Sequence, residues 1–316
     1  LPQTEVATFL SEHGFGGKAF FCNSGAEANE AALKIARKHS HDRYSEARTD
    51  IITTINSFHG RTLGTIAATG QEKVRKGFEP GLPGFSYVPY GDLSAVEQAM
   101  TEQTCAVLVE PIQGEGGIVI PPDGYLAGLR HMCDQRDVLL MFDEVQTGIG
   151  HTGHYFGYQH DGVIPDVMTL AKGLAGGMPI GVMMAKPHIA ETLGPGTHGS
   201  TFGGNPVSCS AALAVLQTIE EDNLLEHVQS LGAYFVEGLK RLQSKYAFIT
   251  EVRGRGLMVA AELDRPGGHM VMKGLERGFL INCTVDRVLR FVPPLVISQQ
   301  EIDSLLTTLD GIFAEE

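Results

Sequence analysis

Three segments of the chain place a chemically capable side chain directly after a short apolar run. Val138-Leu139-Leu140-Met141-Phe142 ends in Asp143-Glu144-Val145-Gln146, two carboxylates and an amide. Val167-Met168-Thr169-Leu170-Ala171 ends in Lys172, followed by the glycine-rich stretch Gly173 to Gly181. Ala19-Phe20-Phe21-Cys22 ends in Asn23-Ser24-Gly25-Ala26-Glu27 and opens a helical pattern. An aspartate at the end of a buried strand must meet a cation or be fully hydrogen-bonded, and a pyridinium nitrogen would serve as that cation. A lysine pressed against apolar and glycine neighbours can lose its proton and attack a carbonyl. A strand-turn-helix such as the third turns backbone N–H groups and the helix dipole toward the strand end, which is an anion cradle. Each also has a plain alternative: Asp143 capping a turn, Lys172 on the surface, Ser24 or Asn23 as an ordinary N-cap. It is the combination of two strand ends with a cradle that favours one shared site.

Two further segments fit that combination. Gly199-Ser200-Thr201-Phe202-Gly203-Gly204-Asn205-Pro206 is a hydroxyl- and glycine-rich turn opening a helix, suited to another phosphate contact. Asn56-Ser57-Phe58-His59-Gly60-Arg61 offers an aromatic plane, an imidazole and a guanidinium, and arginine is well shaped for bidentate capture of a carboxylate. His151, His154 and His160 lie close together, but their spacing matches no usual zinc pattern and glycines interrupt the stretch, so no metal is expected. Arg253-Gly254-Arg255-Gly256 lacks the rest of a nucleotide-binding fingerprint.

The elements that must position these residues read as alternating strands and helices. Strand-length apolar runs at 19–22, 51–55, 106–109, 138–142, 167–170 and 181–185 alternate with helical patterns at 28–38 and 125–136, as in a mostly parallel sheet covered by helices. Long helical patterns come next, over Pro206–Glu221 and Leu224–Lys245. From Phe248 the pattern changes to short strands and helices, so a large α/β domain over residues 1–245 and a small α+β domain over 246–316 are expected. In open α/β sheets ligands gather beyond the carboxyl ends of the strands, where the chemical residues above fall.

Composition narrows the partners. A net charge of -13 over 316 residues opposes a nucleic-acid or anionic-membrane surface and favours small-molecule chemistry. The five cysteines are scattered, with no Cys-x-x-Cys, which points to a reduced, cytoplasmic protein. The apolar runs are too short to span a bilayer, and the first residues carry no basic-then-apolar leader.

The segments NSGAEANEAALKIAR, FHGRTLGTIAATG, EPIQGEGG, MFDEVQTGIG, TLAKGLAGGMPIG, HGSTFGGNPVSCSAALAVL, RGRGLM and LRFVPPL, in this order, are similar to those of the class III (ω-amino) aminotransferases of pyridoxal 5′-phosphate (PLP) fold type I. The resemblance covers essentially the whole chain. It implies that PLP is the cofactor, with its phosphate held at Gly25 and Ala26 and its ring stacked on Phe58. It implies cofactor contacts from the run Asp143-Glu144-Val145-Gln146, Asp143 pairing with the ring nitrogen and Gln146 bonding the phenolate oxygen. Lys172 would be the Schiff-base lysine and proton shuttle. Thr201 would reach the phosphate of a second subunit, which implies a homodimer. Arg61 and Ser200 would bind an ω-amino substrate such as acetylornithine, Arg290 the α-carboxylate of glutamate, and Glu115 would be the switch that pairs with Arg290. Ornithine, succinylornithine and 4-aminobutyrate remain alternative amine donors, and a catalytically silent scaffold subunit is the non-enzymatic alternative. Two departures stand out: the family's usual N-terminal segment, part of the dimer interface and pocket wall, has no counterpart before the first motif, and His151 stands where an arginine is common.

Overall fold

The computed structural model describes residues 1–316. Contacts divide the chain into two compact units. The first comprises residues 1–111, 121–149 and 155–218, and the second 112–120, 150–154 and 219–316.

The first unit is built on a seven-stranded sheet. Its strands are β1 (Lys18–Cys22), β2 (Asp50–Thr54), β3 (Phe85–Val88), β4 (Thr104–Val109), β5 (Leu139–Asp143), β6 (Val167–Leu170) and β7 (Gly181–Ala185), in the order β1-β7-β6-β5-β4-β2-β3. All neighbouring pairs from β6 to β3 are parallel, and β7 runs antiparallel to both β6 and β1. Every strand except β7 therefore points its carboxyl end to one side. Strands β4, β6 and β7 are buried at every position, which is why they read as unbroken apolar runs rather than as alternating ones.

The helix Gly25–Arg43 lies against this sheet through Ala31, Ala32, Leu33, Ile35 and Ala36, which share a core with Ile51, Ala106, Leu108, Met141 and Val167. The alanines let the helix approach closely, so a polar residue on the same face comes within reach of the strand ends. Its start is fixed by Ser24, whose hydroxyl accepts from Glu27 N, while Glu27 reaches back to Asn23 N at 2.5 Å. Removing such a cap costs about 1 kcal/mol and would loosen the turn ahead of it.

The second unit carries the antiparallel strands β8 (Ile249–Arg255), β9 (Met258–Leu263), β10 (Asn282–Thr284) and β11 (Val288–Phe291), in the order β10-β11-β9-β8. Helices Leu224–Lys245, Gly268–Glu276 and Gln299–Phe313 close its core around Phe235, Leu239, Val259, Leu289, Ile302 and Phe313. This core moves the boundary from the 245/246 expected from sequence to 218/219. The helix Leu224–Lys245 buries Phe235, Leu239 and Leu242 in the small unit's core, and so it folds with the four antiparallel strands C-terminal to it.

Candidate active site

A cavity of about 460 Å³ opens at the carboxyl-end side of the large sheet, lined wholly by residues of the first unit. β1 delivers Asn23 to Ala26, β2 leads to Phe58 to Arg61, and β4 to Glu110. β5 delivers Asp143, Val145 and Gln146, β6 delivers Ala171 and Lys172, and Met178 to Ile180 precede β7. The five segments singled out by their chemistry are thus mostly the walls of one cavity. The exception is the turn 199–206, whose residues do not line it.

Asp143 is the most constrained side chain there, at 3% exposure. Its Oδ2 accepts from Asn29 Nδ2 at 2.7 Å and from His59 Nδ1 at 2.7 Å, and its Oδ1 accepts from Val145 N at 3.0 Å. Lys172, by contrast, is exposed and sits at φ +40, left-handed backbone that costs a side-chain-bearing residue of order 1 kcal/mol. The turn is held by Leu174 N donating to Ala171 O at 2.9 Å.

The cradle depends on missing side chains. A Cβ on Gly25 would come within 2.8 Å of Val145 Cγ1, and one on Gly60, at φ +134, within 2.8 Å of Ala26 Cβ. Backbone can therefore approach a ligand here as no other residue would allow. Phe58 is anchored by its N–H to Glu110 Oε2 at 3.2 Å, and the Arg61 guanidinium lies 5.4 Å from the Phe58 ring centroid. A buried carboxylate, a glycine cradle at the start of a 19-residue helix, an aromatic ring and an exposed lysine are the set a phosphorylated pyridine aldehyde needs. The residues present fit PLP.

Other expected residues fall elsewhere. Glu144 leaves the strand on the side opposite Asp143, as successive residues must. Its carboxylate is turned from the cavity and accepts from Gly157 N and Tyr158 N, each at 2.8 Å, and from the Thr147 hydroxyl. Burial pushes it up to about 7, against those three donors. Ser200 reaches the cavity wall only through Asn23, whose Nδ2 donates to its Oγ at 3.1 Å. Thr201 is exposed. In the second unit Arg290, on β11, pairs through Nη1 with Glu115 Oε1 at 2.9 Å, with Arg290 buried and Glu115 half-buried. His151, where an arginine is common, accepts from Leu257 N through its carbonyl at 2.9 Å, a bond that any residue can make.

Two wall residues were missed in the sequence. Glu110 follows the apolar run of β4 as Asp143 follows that of β5, so the same strand-end logic identifies it. Asn29 is an amide at 1% exposure on an alanine-rich helix face, and a polar residue on such a face was the available signal.

The aminotransferase class-III family model matches residues 1–313, and the chain belongs to that family. It is a PLP-dependent transaminase. Among its relatives, the acetylornithine aminotransferase of Caldanaerobacter subterraneus subsp. tengcongensis is 52% identical over 99% of this chain and 80% of that protein. Among solved structures, the N-acetylornithine aminotransferase of Stenotrophomonas maltophilia superposes with TM-score 0.86 at 35% identity, over 100% of this chain and 80% of that one. The ornithine aminotransferase of Toxoplasma gondii, with partial occupancy of PLP at its active site, gives TM-score 0.93 at 38% identity over 98% and 76%. No helix is long and apolar enough to cross a membrane.

Proposed function

We propose that the chain transfers the δ-amino group of N2-acetyl-L-ornithine to 2-oxoglutarate, giving N-acetyl-L-glutamate 5-semialdehyde and L-glutamate, a step of arginine biosynthesis. The observation that carries this reading is the Glu115–Arg290 ion pair at 2.9 Å. Glutamate presents a carboxylate beside its reacting amine, and the δ-carbon of acetylornithine does not. One enzyme must therefore offer a cation in one half-reaction and conceal it in the other, and a carboxylate paired with Arg290 does so. Arg61 takes the far carboxylate of either substrate by bidentate hydrogen bonding.

PLP, when bound, supplies the electron sink for the carbon that loses its proton. Asp143 keeps a positive charge at the ring nitrogen favourable. Lys172 Nζ takes the proton from the substrate carbon and delivers it to a second carbon two bonds away, across the nitrogen that joins them, a transfer that needs a side chain able to move. Val145 packs against Gly25 and Ala26 against Gly60, which narrows the cavity at the cradle.

On this reading the enzyme works as a homodimer in the cytoplasm. Leu63, Phe202 and Val207 are at least 66% exposed, apolar side chains that a subunit interface would cover, and Cys22, Cys105, Cys133, Cys209 and Cys283 are all free thiols. Initial rates with acetylornithine, ornithine and 4-aminobutyrate, at saturating 2-oxoglutarate, test the substrate. The highest kcat/KM is expected with acetylornithine; a higher value with either competitor would reject the assignment.

A further inference from the structure

We infer that Asn29 and His59 are positioning residues that fix which oxygen of Asp143 meets the cofactor and compensate the charge of that carboxylate through hydrogen bonds to its other oxygen. The inference rests on the cofactor class and is independent of the choice of amine donor.

Counting lone pairs decides the first part. Oδ2 of Asp143 accepts from both Asn29 Nδ2 and His59 Nδ1, each at 2.7 Å, and so has no acceptor site left. Oδ1 accepts only from Val145 N, at 3.0 Å, and keeps one. Since Asp143 lines the cavity, Oδ1 is the oxygen that can receive a ring N–H there.

Neither donor can turn away easily. Asn29 Oδ1 accepts from Thr169 Oγ1 at 2.8 Å, and Asn29 Nδ2 also donates to His59 O at 2.8 Å. A flipped amide would set its oxygen against the carboxylate and break both bonds. His59 is 2% exposed, with its backbone N–H on Thr69 Oγ1 at 3.0 Å and its Nε2 3.1 Å from Thr53 Oγ1. An ionised carboxylate only accepts, so Nδ1 carries the proton on the Asp143 side, and in this tautomer Nε2 accepts from Thr53. Thr53 and Thr169 lie on β2 and β6, on either side of β5 in the sheet, so the sheet itself holds both donors.

Three hydrogen bonds to the ionised form offset the cost of burying it. Removing one should weaken the hold of Asp143 on a proton at the ring nitrogen, which is an equilibrium property of the bound cofactor and needs no turnover. The test is the nitrogen-15 chemical shift of ring-labelled PLP in the reconstituted holoenzyme, titrated from acid to alkaline pH. His59→Phe and Asn29→Leu are each expected to shift the ring-nitrogen protonation equilibrium about tenfold toward the neutral form, a midpoint lower by about one pH unit. His59→Gln, whose amide can donate to the same oxygen, should recover most of the shift. Folded, PLP-loaded His59→Phe and Asn29→Leu proteins with the wild-type midpoint would overturn the inference. Should those two fail to fold, Thr169→Val decides: it keeps both donors but frees the Asn29 amide, and a smaller shift in the same direction is expected, an unchanged midpoint being the contrary result. A holoenzyme crystal structure with the ring nitrogen on Oδ2 would overturn the assignment of the oxygen.

Discussion

The ends of β5 and β6 are neighbours in one sheet, with Asp143 paired opposite Thr169 in the register, yet they are built on opposite plans. At the end of β5 the carboxylate of Asp143 is 3% exposed and takes three hydrogen bonds from three different segments. At the end of β6 Lys172 is exposed, and its backbone leaves the strand in a left-handed turn that a lysine adopts only at a cost. The difference matches the two tasks proposed for them. A group that stabilises a fixed charge works best when it cannot reorganise, whereas one that carries a proton between two atoms must be able to travel. Strain and exposure at Lys172, and saturation at Asp143, are the structural forms of those requirements.

The comparison is broken most directly by truncating both residues. Lys172→Ala should reduce turnover by at least about 10⁴-fold and leave the unfolding free energy within about 0.5 kcal/mol, because an exposed side chain leaves no buried donor stranded. Asp143→Ala should also cripple turnover, and in addition cost about 3 kcal/mol or more of stability, since Asn29, His59 and Val145 each lose a buried acceptor. Urea unfolding of the two cofactor-free variants, read beside steady-state rates, separates them. Equal stability losses would show that the contrast is only apparent.

Glu144 extends the contrast by one residue. It is as buried as Asp143 but serves the segment Gly157–Tyr158, away from the cavity. Burial raises it from the ordinary 4.5 to about 7, so between those pH values the folded chain binds more protons than the unfolded one. Stability from this group is therefore fully present below about pH 4.5, falls as pH rises through the window and is flat above it, a total of up to about 3 kcal/mol. Glu144→Gln should remove that slope. Wild type and variant compared by urea unfolding at pH 5 and pH 8 should differ in stability by unequal amounts, and a constant difference would contradict the assignment.

How far this was legible in the sequence depends on which signals are local. Lys172, Asp143, Gly25 and Arg61 come after apolar runs or open helices, so strand-end reasoning reached them without a structure, and the helices Tyr125–Arg136, Pro206–Glu221 and Leu224–Lys245 fall where their periodicity placed them. β3 was not read, being a four-residue edge strand with partly exposed positions, and β8 was missed because it is charged and largely uncovered on one side. The direction of the Glu144 carboxylate is set by Thr147, Gly157 and Tyr158, in the turn and loop after the strand, and the side-chain partners of Asp143, His59 and Asn29, lie 84 and 114 positions away along the chain, so no strand or helix periodicity carries either. The same holds for the unit boundary, which is set by what the helix Leu224–Lys245 packs against and not by where composition changes.

The smallest expected effect tests the strain at Lys172 alone. At φ +40 a Cβ crowds the following carbonyl, and glycine relieves that clash. Lys172→Gly and Lys172→Ala both remove the amine, so both should be inactive, and any contact the amine makes is lost equally in the two. The glycine variant gives up about 0.5–1 kcal/mol to the greater freedom of its unfolded chain and regains about 1–2 kcal/mol from the relieved backbone. It should therefore match or exceed the alanine variant in unfolding free energy by up to about 1.5 kcal/mol, the reverse of the usual order for these two residues. Paired urea titrations resolve a difference of that size. Were alanine the more stable by its usual margin, the turn at the end of β6 would be relaxed, and the exposure of Lys172 alone would distinguish it from Asp143.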